Sequence, residues 1–188
     1  MLSPRLEVET HCATRRLFLR GMAGALAAAA VAPGRLLAGP KEERLLSFLH
    51  THTHEHLTVP YFADGAYLPE GLSTLNSFLK DFRTGDEHPI DPALYDILND
   101  LRLATSARSP FQVISAYRSP RTNAMLREGG HGVAQGSLHL QGRAIDVRLA
   151  DVGSSVLRDA AVELRRGGVG YYRGSDFVHV DTGRVRRW

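Results

Sequence analysis

Two histidines and an aspartate in the C-terminal half are spaced so that together they could hold a divalent metal. His139 and Asp146 lie in Ser137-Leu138-His139-Leu140-Gln141-Gly142-Arg143-Ala144-Ile145-Asp146, and His179 follows in Phe177-Val178-His179-Val180-Asp181. Two imidazoles and one carboxylate are the protein ligands of a catalytic zinc site, with a fourth position open to water. Gly142 can turn the chain sharply, which would let His139 fold back toward Asp146. On a strand, Ala144, Asp146 and Arg148 share one face while Ile145, Val147 and Leu149 share the other. Asp146 is then a carboxylate beside a core face, and such a group needs a partner or a metal. His179, between Val178 and Val180, points the same way as Phe177 and Asp181. Taken singly, a buried structural histidine or an exposed strand acid accounts for each residue; the ordered triple is better explained by a metal.

The elements that position these residues form an α+β domain: an antiparallel sheet flanked by helices. Residues Arg44 to Tyr61 suit strands, and Asp64-Gly65 is a turn signal. Leu72, Leu75, Leu79 and Phe82 recur at helical spacing, which predicts a helix over 70–83. Asp91-Pro92 is a cap followed by a first-turn proline, ahead of the stripe Leu94, Ile97, Leu98 and Leu101. Phe111–Ser115 reads as a strand. Ser119-Pro120 opens a third helix that Gly129-Gly130 closes. Arg143–Leu149 alternates as a strand, Ser154–Arg166 is a fourth helix closed by Gly167-Gly168, and Val169–Tyr172 with Phe177–Asp181 makes a hairpin.

The first 39 residues read as an address rather than as part of the domain. Arg15-Arg16 precedes a short, weakly apolar stretch from Gly21 to Ala32, the pattern of a twin-arginine export signal, with small residues for cleavage at Ala38 or Ala32. The expected organisation is a signal segment over 1–39 and a single domain over 40–188, placing the protein in the periplasm. No run of about 20 apolar residues exists, so no membrane span is expected after processing. Residues 1–39 carry five Arg and two Glu, which accounts for the whole formal charge of +3. A neutral remainder lacks the basic footprint of a nucleic-acid binder. The one cysteine, Cys12, lies in the same segment, which excludes disulfide frameworks, iron–sulfur clusters and thiol catalysis in the domain.

Several blocks together resemble one family. Ser115-Ala116-Tyr117-Arg118-Ser119, then Ser137-x-His139-x-x-Gly142-x-Ala144-x-Asp146, then a late strand histidine are similar to the zinc D-alanyl-D-alanine carboxypeptidase superfamily with its hedgehog-like fold. The likeness extends to its murein endopeptidase K family through Leu75-Asn76-x-Phe78-x-x-Asp81-Phe82-Arg83, Gly167-Gly168-Val169-Gly170-Tyr171-Tyr172, Phe177-Val178-His179-Val180-Asp181-Thr182-Gly183 and Trp188. It covers residues 42–188. The resemblance implies that His139, Asp146 and His179 bind Zn2+ and that Arg118 contacts the substrate or polarises the scissile carbonyl. It also implies an acidic general base three positions before the last histidine, which here is Asp176. Strict alternation puts Asp176 on the face opposite His179, so that role requires the strand to begin just after it. Asp181 shares the face of His179 and is the rival; Asp176 is favoured.

The expected function is an exported zinc metallopeptidase that hydrolyses amide bonds in peptidoglycan stem peptides. The resemblance points to endopeptidase action on diaminopimelyl–diaminopimelyl cross-links. A carboxypeptidase trimming terminal D-alanine and a non-catalytic zinc-containing cell-wall-binding module are the alternatives, the latter favoured if neither Asp176 nor Asp181 reaches the catalytic water. His50, His52, His54 and His56 alternate and could form a second metal site, but a solvent-facing strand or hairpin is the preferred reading. His131 belongs to a loop, with a cleft role as the alternative; Tyr171 and Tyr172 read as packing residues, one of which could line the cleft.

Overall fold

Ile145, Val147 and Leu149 turn into the same apolar core as Val178 and Val180 of the neighbouring strand, and all five are buried. Their alternate residues, Asp146 and His179 among them, therefore face the other side of the sheet. The computed structural model describes residues 42–130 and 133–188; the expected export segment, 1–39, and His131 lie outside the described residues. The strands are β1 (Glu43–His50), β2 (His56–Ala63), β3 (Ala66–Tyr67), β4 (Phe111–Ser115), β5 (Ala144–Leu149), β6 (Gly168–Tyr172), β7 (Phe177–Asp181) and β8 (Arg186–Arg187). Among the described residues they form one sheet in the order β3-β2-β1-β4-β5-β7-β6-β8.

The sheet is mostly antiparallel, as expected for this α+β chain, with two parallel pairs that alternation could not reveal. β1 lies parallel to β4 and β6 parallel to β8. The first follows from connectivity: β2 takes one side of β1, and two helices then carry the chain over to its other side. These are α1 (Pro69–Phe78) and α2 (Pro92–Thr105), followed later by α3 (Pro120–Glu128) and α4 (Ser154–Leu164). Leu75 of α1, Leu94, Leu98 and Leu101 of α2, and Leu157 of α4 are fully buried in the core. Each such side chain contributes roughly 1.5–3 kcal/mol through burial. Among the described residues no helix is long and apolar enough to cross a membrane.

The caps at Asp91 and Ser119 form as the sequence implies. Asp91 accepts from the Ala93 amide at 3.0 Å, and the Ser119 hydroxyl accepts from the Thr122 amide at 3.3 Å. Two helix ends differ. α1 stops at Phe78 rather than at residue 83, because the Leu79 carbonyl accepts the Tyr117 amide while the Asp81 carboxylate accepts the Arg83 amide. α4 ends on Arg165 in a left-handed conformation, and Gly168 already opens β6. The pair Gly167-Gly168 serves a close approach instead of a cap. A Cβ on Gly167 would lie 1.6 Å from the Asp181 carbonyl oxygen, and one on Gly168 2.5 Å from the Asp181 carboxylate.

The alternating histidines form no continuous strand. Residues 51–53 are a turn between β1 and β2, with His54 at φ 60°. His52, His54 and His56 are exposed, but His50 is buried, a departure from the solvent-facing expectation. Its Nδ1 accepts the His52 and Thr53 amides at 3.3 Å, and its ring packs against Phe78 and Phe82.

Candidate metal centre

Register brings two of the three candidate ligands together. Asp146 on β5 and His179 on β7 are direct cross-strand partners, with Asp146 Oδ1 2.8 Å from His179 Nδ1. His139 arrives from a short 3-10 helix, Leu138–Gln141, where the Ser137 hydroxyl accepts the His139 amide. Gly142 ends that turn at φ 63°, and a Cβ there would fall 2.3 Å from the Pro89 carbonyl oxygen, so the sharp return to β5 requires glycine. His139 Nε2 consequently lies 3.1 Å from His179 Nδ1 and 3.3 Å from Asp146 Oδ1. Among the described residues this trio is the one cluster of ligand-type side chains close enough to share an ion.

The protons on the two imidazoles are set by their outer partners. His139 Nδ1 donates to the Ala116 carbonyl at 2.6 Å, and His179 Nε2 donates to Asp181 Oδ2 at 3.1 Å. With a cation bound, His139 Nε2 and His179 Nδ1 are the nitrogens left to present lone pairs, aimed with a carboxylate oxygen at one point. Three acceptors at such spacing repel one another unless a cation sits between them. Ligands 2.0–2.1 Å from a tetrahedral zinc are about 3.3 Å apart, so the donor set and its spacing fit that ion. Backing of ligand histidines by a carbonyl and a carboxylate is the usual way their orientation and basicity are fixed.

The electrostatics agree. Burial raises the Asp146 carboxyl, but His139 and His179 outweigh it and hold the group well below the carboxylate range. Burial lowers the His139 imidazole, keeping it neutral and able to ligate. Burial also lowers His179, yet the Asp146 and Asp181 carboxylates prevail and raise it to about 9, so without a metal His179 Nδ1 holds a proton against Asp146 that a bound cation would displace.

Arg118 is drawn into the same site. Its amide donates to the His139 carbonyl at 3.1 Å and its guanidinium lies 3.5 Å from Asp146 Oδ2. Burial lowers its pKa while Asp146 pulls it up. Arg118, His139, Asp146 and His179 line one cleft of about 380 Å³, together with Tyr172, Phe177, Arg186 and Trp188.

Neither acid named for the general base faces this cleft. Asp176 is corrected first: it sits at φ 51°, exposed, with Oδ1 2.6 Å from the Ser154 hydroxyl at the start of α4. The strand does begin just after it, at Phe177, so alternation assigns Asp176 no face; its Oδ2 lies 4.0 Å from Arg148 Nη1, away from the three residues of the centre. Asp181 shares the face of His179 but stands behind that imidazole. Its carboxylate accepts from His179, from the Gly168 and Gly183 amides, and from both Nη atoms of Arg186, and its side chain is fully buried. It orients the His179 imidazole and has no free lone pair directed at the cleft. Pattern reading gave no role to the Ala116 carbonyl, Arg186 or Trp188, although Ala116 and Trp188 stand in the blocks that carry the resemblance. Tyr172 does line the cleft, whereas Tyr171 packs against the core.

The chain is similar to known proteins over most of its length. A family model described as peptidoglycan L,D-endopeptidase MepK matches residues 38–188. The chain is 39% identical over 178 residues to peptidoglycan L,D-endopeptidase MepK of Escherichia coli strain K12, covering 94% of this chain and 97% of that protein. It is also 39% identical over 154 residues to a probable peptidoglycan L,D-endopeptidase MepK of Haemophilus influenzae, covering 81% and 82% respectively.

Proposed function

This chain belongs to the peptidoglycan L,D-endopeptidase MepK family, and we propose that it is an exported zinc hydrolase of amide bonds in peptidoglycan cross-links, acting in the periplasm after twin-arginine export. The observation that carries the reading is the convergence of His139 Nε2, Asp146 Oδ1 and His179 Nδ1 within 3.3 Å on the wall of an open cleft. Zinc held there supplies a Lewis acid that polarises a carbonyl and acidifies a water.

The chain's own groups do the rest. Asp181 and the Ala116 carbonyl hold the two imidazoles in the tautomers that can ligate. Arg118, buried beside Asp146, presents a fixed cation to the carbonyl oxygen on which charge develops. Its guanidinium needs no reorganisation, since Nη2 is already held by the Ser115 hydroxyl at 3.2 Å.

Endopeptidase action on diaminopimelyl–diaminopimelyl cross-links is favoured over D-alanine trimming by the state of the cleft's other cation. Arg186 is bidentate on Asp181 at 2.7 and 3.1 Å, so it is not free to grip a terminal carboxylate. A non-catalytic binding module draws on one observation, that neither Asp176 nor Asp181 faces the cleft. Digestion of purified muropeptides, followed by chromatography with and without chelator, separates the three. Chelator-sensitive loss of cross-linked dimers is the expected result; release of D-alanine alone supports the carboxypeptidase, and retention without cleavage supports the binding module.

A further inference from the structure

The cleft is built with two flanks. In the sheet order β4-β5-β7-β6, the ligand strands β5 and β7 lie in the middle, Arg118 follows the end of β4, and Tyr172 ends β6. Tyr172 pairs with Phe177 across β6 and β7, two residues from the Gly170–His179 pair, so its side chain emerges on the face of the metal ligands. Its ring stacks on Phe177 with centroids 4.5 Å apart and planes at 15°, and 40% of the residue is exposed to the cleft and solvent.

The phenol is held in a particular state. Trp188 Nε1 donates to the Tyr172 hydroxyl oxygen at 3.1 Å, and among the described residues no acceptor takes the phenol's own proton. The indole that sets this bond is itself fixed. Trp188 exchanges backbone hydrogen bonds with Val169 and Tyr171 at 3.1 Å, and its ring lies over Gly170, where a Cβ would come within 2.7 Å of it. The same ring is 5.3 Å from the His179 imidazole, so the indole spans the distance between a ligand and the phenol. An oriented O–H with its oxygen already accepting a hydrogen bond is a stronger donor, because each bond polarises the next.

We infer that Tyr172 is a second substrate-contacting donor, whose O–H binds the scissile carbonyl oxygen as negative charge builds on it, from the β6 flank while Arg118 acts from the β4 flank. This rests on the hydrolase reading above. It assigns catalytic work to a residue whose family block looked like packing, and it accounts for a preorganised, unshared phenol proton in a cleft whose expected acids point elsewhere.

The test is Tyr172→Phe in the full zinc-loaded chain, which keeps the stack on Phe177 and removes only the hydroxyl. Losing one oxyanion donor costs roughly 100-fold in kcat. The expected result is a kcat lower by about that factor with KM within about two-fold, and with zinc content and melting midpoint unchanged. A phosphinate analogue of the cross-link, which carries the oxyanion, should lose affinity in parallel, while an intact amide substrate should not. An unchanged kcat, a raised KM with kcat intact, or loss of zinc from the variant overturns the assignment. A wild-type chain that cleaves no muropeptide overturns the hydrolase reading itself, and this inference with it.

Discussion

Asp146 and His179 are register partners on β5 and β7, and the antiparallel ladder alone brings Asp146 Oδ1 to 2.8 Å from His179 Nδ1. Two thirds of the centre is therefore a property of the sheet, whose opposite face is the apolar core. The third residue of the proposed centre, His139, is added by a turn. This separation of metal face from core face governs what each substitution should do.

His139→Ala removes a ligand without touching the residues that fill the core. The variant should lose its zinc by elemental analysis while keeping its circular dichroism spectrum and a cooperative melt. Full metal retention would contradict the ligand assignment.

Asp176 and Asp181 should behave oppositely. Asp176→Ala removes an exposed hydrogen bond to Ser154, so zinc affinity and cleavage should stay within about two-fold and stability within about 0.5 kcal/mol. Asp181→Ala removes the acceptor behind His179 and leaves Arg186 and two amides unpaired. Its zinc affinity should fall by about 10–100-fold, measured by competition with a chromophoric chelator.

Asp81 ties the end of α1 to the start of α3, accepting the Ser119 amide at 2.9 Å and the Arg83 amide at 3.0 Å. Burial raises its pKa, but hydrogen bonds from Thr122, Ser119 and Arg83 prevail and lower it below 3.8. A carboxyl whose folded pKa is depressed stabilises the protein above its unfolded value and loses that contribution as pH falls through the folded one. Asp81→Asn should lower the melting midpoint at neutral pH, and the gap from wild type should narrow as pH falls below about 3.8. A gap independent of pH would show that the charge is immaterial.

Local chemistry made much of this legible in the sequence. Asp91-Pro92 and Ser119-Pro120 announce their helices because cap and first turn are adjacent residues. Alternation in β5 and β7 separates ligands from core because its period is that of the backbone. The end of α1 is not legible, since it depends on Tyr117 taking the Leu79 carbonyl from another part of the chain. The same is true of the parallel β1–β4 pair and of Asp181, whose partners Gly168, Gly183 and Arg186 meet only in the folded sheet. The histidine run misleads as a strand pattern because His50 caps the turn with its own ring nitrogen, a bond that periodicity does not encode.

Gly167 looks like a helix stop and is a clearance. Gly167→Ala would place a methyl 1.6 Å from the Asp181 carbonyl oxygen, which only a backbone shift relieves. The variant should be less stable by about 1–3 kcal/mol in chemical denaturation. It should also hold zinc more weakly, since the strained strand carries His179 and Asp181.

The most direct measurement is the zinc content of the purified protein, taken before chelation, after chelation and after zinc is restored, with muropeptide cleavage followed on the same three samples. One equivalent of zinc per chain, loss of cross-link cleavage with the metal, and recovery on reloading are the expected results. Undiminished cleavage by chains free of zinc and of any other metal would contradict the account.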